Sequence, residues 1–234
     1  MAGFFMQIFL FLIIIFHIKY KRRMRKRKMF IIYLFMLLLT YGLLRYIEKR
    51  TQKKKSYKLK WNMLIVFGLV ISIACFNFAL MGCGIIKALL CGICSGWLFF
   101  STCTDIHSHD IYIFPCPALE ILGIIYQTVQ GPNVGFMIFA VVVSFAIHFA
   151  FTHFWGKGDG YVFAFSSLFF SYDYSLNLEN FISNFLLKQM LFILTSIIFF
   201  AVYSLIQKNM KLNGKLKKPK EFAPSIAMAA SIFF

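Results

Sequence analysis

An all-α protein, a polytopic bundle of transmembrane helices with about eight crossings, is predicted by three features of this 234-residue sequence. Hydrophobic residues make up 60% of it and charged residues only 14%, against about 25% charged in soluble domains. The mean hydropathy is +0.76, and the apolar residues fall in uncharged stretches of the length that crosses a roughly 30 Å hydrocarbon core. Finally, 22 of the 25 Lys and Arg lie in three runs, residues 19 to 28, 45 to 60 and 208 to 220. A soluble globular protein is excluded. The net charge of +17 does not point to nucleic acid, because cations gathered between apolar segments read as cytosolic loops against anionic lipid.

The segment from Gly3 to Ile18 has no cations before it and eight directly after it. This reverses a secretory signal peptide, so it is expected to stay as an anchor running from an outside N-terminus to the cytosol. Met29 to Leu44 is apolar but lies between two basic runs, and its 16 residues make about 24 Å of helix. That is short of the hydrocarbon core, and the segment is expected to be re-entrant or interfacial. The remaining spans alternate: 61 to 80 outward, 83 to 104 inward, 117 to 131 outward, 134 to 154 inward, 160 to 172 outward and 181 to 206 inward. The return at 206 delivers the third basic run to the cytosol. Phe222 to Phe234 closes the chain as a short segment that starts on the cytosolic side, leaving both termini outside. Residues 1 to 60 form an anchor with a basic cytosolic or interfacial segment, and 61 to 234 form the main membrane domain.

The six cysteines, at 75, 83, 91, 94, 103 and 116, sit in or beside apolar segments and are expected to be buried thiols. Cys91 and Cys94 make a CxxC without a second pair, which reads as helix packing rather than a zinc site. The 31 Phe read as lipid-facing and packing surface, with some of the Trp and Tyr, among them Trp61, Trp97 and Tyr172, at interfaces.

Only eight acidic residues exist, and Asp105, Asp110, Glu120 and Asp159 fall at the cytosolic ends of predicted helices. Ionisable groups at membrane depth are functional candidates by default. Asp105 ends an inward helix, where a carboxylate opposes the negative end of the helix dipole. Asp159 lies in Gly156-Lys157-Gly158-Asp159-Gly160, before the next outward helix, where an N-cap role is a competing explanation. One outward and one inward span separate the two, so a helical hairpin returns the chain to the same face and lets them meet. Two carboxylates held together share a proton, which suits aspartic proteolysis.

At these residues the chain resembles the type IV prepilin peptidases, membrane aspartic proteases of the GxGD kind. Asp105-Ile106 with Ile111 six residues after the aspartate is similar to that family's D-L-x4-I-P. Gly156-Lys157-Gly158-Asp159 matches GxGD, and Phe222-Ala223-Pro224-Ser225-Ile226-Ala227 resembles F-G-P-F-L-A. The resemblance covers roughly residues 61 to 234. It implies that Asp105 and Asp159 are catalytic, that Gly156, Gly158, Ile111 and Pro224 support the site or bind substrate, and that no cofactor or metal is required. It also implies a substrate class, pilin-like precursors with a basic leader and a hydrophobic helix, cut at the cytosolic face of the plasma or inner membrane. Tyr112 stands where the family usually has Pro, Tyr161 where a Lys commonly follows GxGD, and Ala223 where the family has Gly. Bifunctional members also methylate the new N-terminus through an insert with two CxxC pairs. Lys19 to Lys60 has no cysteine, so a peptidase without methyltransferase activity is expected.

Two readings compete. Asp105, His107, His109 and Asp110, with His148 and His153 on the same face, could serve a metal-ion transporter or sensor. Against transport, all these groups lie on one side, whereas a permeation route needs polar groups across the whole depth. The other is a membrane scaffold without catalysis, with Asp159 as a cap and Asp105 solvated in a loop.

Overall fold

The computed structural model describes residues 23–52, 61–81, 84–108, 111–130, 134–154, 156–170, 172, 177–210 and 222–234. Its regular elements are all helices: α1 (Arg23–Gln52), α2 (Trp61–Met81), α3 (Ile85–Ser108), α4 (Cys116–Gln130), α5 (Val134–Phe154), α6 (Lys157–Ser167), α7 (Leu178–Met210) and α8 (Ala223–Phe233). The all-α expectation holds for these residues. Four stretches, Lys28–Arg50, Ile85–His107, Val134–His153 and Leu178–Leu205, are long and apolar enough to cross a membrane.

That is fewer than the eight crossings expected, and for three of the helices length is the reason. At a rise of about 1.5 Å per residue, the 15 residues of α4 and the 11 each of α6 and α8 give about 22 Å and about 16 Å, well under the roughly 30 Å core. α2, at 21 residues, makes about 32 Å of helix. The anchor expected at 3 to 18 lies outside the described residues.

Met29 to Leu44 is corrected in the opposite sense. It is the middle of one continuous helix of 30 residues, because Arg45 to Gln52 prolong it instead of ending it. The polar residues there are accommodated locally: Arg45 is paired with Glu48, and Lys49 and Arg50 fill the last turn, where cations suit the helix dipole. This helix lies along α3 with the two chains parallel. Tyr33 donates its hydroxyl to Ser95 Oγ at 2.9 Å, and Tyr41 meets Phe99 with ring centroids 4.7 Å apart. A Cβ on Gly92 would stand 2.6 Å from Tyr33 O, and one on Gly96 2.5 Å from Leu37 O, so the four-residue glycine spacing brings backbone against backbone.

α3 is the central helix. Of its apolar window 72% is buried, against 17–22% for the other three long ones, whose outer faces expose Phe35, Leu39, Val142, Phe149, Met190 and Leu194. Trp97 is fully buried on α3 and is a core residue, not an interfacial one. Cys91, Cys94, Cys103 and Cys116 are buried thiols.

The two short helices α6 and α8 are enclosed rather than spanning. Every residue of α8 from Ala223 to Ser231 is buried, packed against α2, α3, α6 and α7. α6 stops at Ser167 inside the bundle, where its last carbonyls need donors that lipid cannot provide. Gln127 of α4 donates Nε2 to Leu168 O and, at 3.1 Å, to Phe170 O. The Tyr172 hydroxyl donates to Ser167 O at 3.0 Å and accepts from Gln189 Nε2 at 2.8 Å.

Candidate active site

Asp105 sits within the last turn of α3, which continues to Ser108, and its side chain is buried at 6% exposure. It is therefore not solvated in a loop. Its Oδ2 accepts a hydrogen bond from the backbone N–H of Ala223 at 3.0 Å. That bond completes the start of α8, where Phe222 provides no side-chain cap. The amides of Ser225 and Ile226 donate to Phe222 O at 3.0 and 3.2 Å, Pro224 has no N–H, and the remaining donor, Ala223, finds the carboxylate. A negative group that opposes the dipole of its own helix thus faces the positive end of another.

The GxGD segment opens α6. Gly156 occupies the N-cap position with φ 144°, a conformation that glycine adopts without steric cost, and its carbonyl accepts from Gly160 N–H at 3.1 Å. Asp159 is the third residue of the helix, not its cap. It is half-buried, its Oδ1 has no hydrogen-bond partner among the described residues, and burial pushes its carboxyl up from 3.8 to about 6. The desolvated anion is disfavoured, as expected where charge is withdrawn from water.

Gly158 joins the first and second motifs. A Cβ there would lie 2.7 Å from Ile111 Cβ, so the isoleucine six residues after Asp105 packs directly on the residue before Asp159. On the opposite flank, a Cβ on Gly160 would meet Thr152 Oγ1 at 2.6 Å and His148 Nδ1 at 3.0 Å. The helices that carry the three motifs also pack on one another, α3 on α6 and both on α8.

The three departures from the family pattern have local partners. Ala223 contributes a backbone amide, which Ala supplies as well as Gly does. Tyr161 lies on the His148 ring with centroids 4.2 Å apart, and Tyr112 packs with Phe100 and Phe114. Pro224 occupies the first turn of α8 and is buried.

The alternative metal cluster is divided. Asp105 is buried while His107, two residues on and so on another face of the helix, is exposed; His148 is buried and His153 exposed. His109 and Asp110 lie outside the described residues. Among the described residues no group of three or more His, Cys, Asp or Glu is placed to hold a metal ion.

Sequence reasoning missed three groups near Asp105. Ser101 and Thr102 of α3 and Ser225 of α8 are buried, and their hydroxyls have no hydrogen-bond partner among the described residues. The available signal was spacing, since Ser101 and Thr102 precede Asp105 by four and three residues and share its face. No family model, curated protein or solved structure matches this chain.

Proposed function

We propose that this protein is a membrane aspartic endopeptidase that removes the leader of pilin-like precursors, with Asp105 and Asp159 as the catalytic pair. The observation that carries the reading is the meeting of three motif patches far apart in sequence: Asp105 with Ala223, and Ile111 with Gly158. Asp159, with its raised pKa of about 6, is suited to hold the shared proton, and Asp105 to act as the base. As water oxygen attacks the scissile carbonyl carbon, the ionised carboxylate takes a water proton and the protonated one donates to the carbonyl oxygen. Collapse of the tetrahedral intermediate breaks the C–N bond, and the departing amine takes up a proton.

The last turn of α1, with Lys49 and Arg50, and the C-terminal part of α7 both reach the aspartate end. Phe200 of α7 meets Phe222 there at 5.1 Å between centroids. Cations at that end are consistent with a cytosolic site against anionic lipid in the plasma or inner membrane. A precursor with a basic leader would keep the leader in the cytosol and lay its hydrophobic helix against the enzyme. The cysteine-free stretch 19 to 60 supports a peptidase that does not also methylate the product. Co-expression with candidate precursors, reading leader loss by mass, tests the reading; Asp105→Asn and Asp159→Asn should each abolish the mass change. Leader loss that persists in Asp159→Asn would overturn it.

A further inference from the structure

We infer that the hydroxyls of Ser101, Thr102 and Ser225 form a docking site for the main chain of the substrate on the helix side of the scissile bond. This rests on the peptidase reading and specifies what its site binds. A peptide bond within an α-helix is shielded by its own hydrogen-bonding ladder, so cleavage requires local unwinding. At membrane depth the freed N–H and C=O groups find no water, and each one left without a partner is costly.

Many other hydroxyls in this bundle are bound to their own helix, and Thr152 and Ser204, whose hydroxyls also have no partner among the described residues, are only half-buried. Those of Ser72, Thr128, Thr195, Ser196 and Ser231 all donate to a carbonyl three or four residues back, the usual solution for Ser and Thr in apolar helices. Ser101, Thr102 and Ser225 are at most 1% exposed and make no such bond. Ser101 and Thr102 stand one turn before Asp105, and Ser225 two residues after Ala223, whose amide Asp105 holds. α3 turns Gly92, Gly96 and Phe99 toward α1, and at 100° per residue Ser101 falls about 180° from Gly92, on the same side as Asp105.

Depth fixes which part of the substrate they meet. Ser101 precedes Asp105 by one turn, about 6 Å further into the bundle. α8 starts at Asp105 and ends with Phe233 against Phe170 and Phe192, far from the mouth of α6, so Ser225 also lies inward of the carboxylate. A leader held outside the bilayer cannot reach them, whereas the first residues of the unwound membrane helix can. Because α3 and α8 enclose the hydroxyls, docking requires these helices to part at the Asp105–Ala223 contact.

The test uses a designed precursor, a lysine-rich leader followed by a Leu/Ala helix of about 20 residues, with single cysteines stepped through the junction. Ser101→Cys and Ser225→Cys, placed separately in the full-length Asp159→Asn protein, should form disulfides with cysteines within about four residues of the junction on the helix side. In the catalytically intact protein, Ser101→Ala and Ser225→Ala should raise KM by a factor on the order of 10 with little change in kcat, the size expected for one lost hydrogen bond. Ser196→Ala should change neither. Disulfides confined to the leader side, or KM values unchanged in both alanine variants while the parent still cleaves, would overturn the inference. Helix-side disulfides with a precursor that the parent never cleaves would uphold the docking site and sink the peptidase reading instead.

Discussion

The carboxylate of Asp105 and the backbone amide of Ala223, 118 positions apart, are joined by a 3.0 Å hydrogen bond that serves as the cap of α8. In the resting protein the same bond orients the carboxylate, so structure and chemistry are separable by substitution. Asp105→Asn keeps an oxygen acceptor and should retain the folded bundle while losing activity. Asp105→Ala leaves a buried amide unpaired, at a cost of about 1–3 kcal/mol, and should lower the melting temperature in detergent as well. Ala223→Gly preserves the donor and should keep cleavage within a few-fold. Equal melting temperatures for the Asn and Ala variants would show that the bond contributes nothing to α8.

Asp159 gives the protein a predictable pH response. Its folded-state pKa, raised by burial from 3.8 to about 6, means that the folded state binds the proton more tightly than the unfolded chain does. The contribution to stability is fully present below about pH 4 and is lost as pH rises through about 6. Unfolding followed from pH 4 to 7 should therefore show a destabilising slope with rising pH that Asp159→Asn removes. Cleavage should fall on the alkaline side as the shared proton is lost, with an apparent pKa that belongs to the pair. An unchanged slope in the Asn variant would assign the pH response to other groups.

The Ile111–Gly158 contact is a further point of leverage. With only 2.7 Å between Ile111 Cβ and the position of a new Cβ, Gly158→Ala must move the loop after α3 or the start of α6. The overpacking is expected to cost about 1–3 kcal/mol and to lower kcat by displacing Asp159. Adding Ile111→Gly should recover part of the loss, giving a non-additive double-mutant cycle. Strictly additive effects would mean that the two motifs are not coupled through this contact.

The helical class was legible in the sequence because composition encodes it directly. The structure places Asp105 in α3 and Asp159 in α6. What composition does not encode is how far a helix continues through charged residues. Arg45 and Glu48 are both ionisable, yet paired one turn apart they extend α1 instead of ending it. Nor does hydropathy distinguish an apolar segment that spans from one that is enclosed. Ala223–Phe233 is as apolar as a crossing helix but half the length, and protein surrounds it. The Asp105–Ala223 bond was out of reach for another reason: a backbone amide has no sequence signature.

The continuous α1 changes the expected topology. The charge runs alone put residues 24 and 52 on the same side, since crossing would strand eight cations outside. Against that stands a parallel pairing with α3 that extends from Tyr33 and Ser95 to Tyr41 and Phe99, with both glycines of the Gly92–Gly96 pair in backbone contact. A helix lying in the interface could not follow a crossing helix through its depth. With Lys28–Arg50 long enough to span, the last turn of α1 shares the aspartate end and its first turn the opposite one. Single cysteines at positions 24 and 52, in a protein stripped of its native cysteines, should therefore differ. On the proposed cytosolic placement of the aspartate end, an impermeant thiol reagent applied to intact cells should reach position 24 and not 52, and permeabilisation should expose both. Gly96→Leu, which forces the helices apart, should lower stability in detergent by about 1–3 kcal/mol. Identical labelling of 24 and 52 in intact cells would return Met29–Leu44 to one side of the membrane.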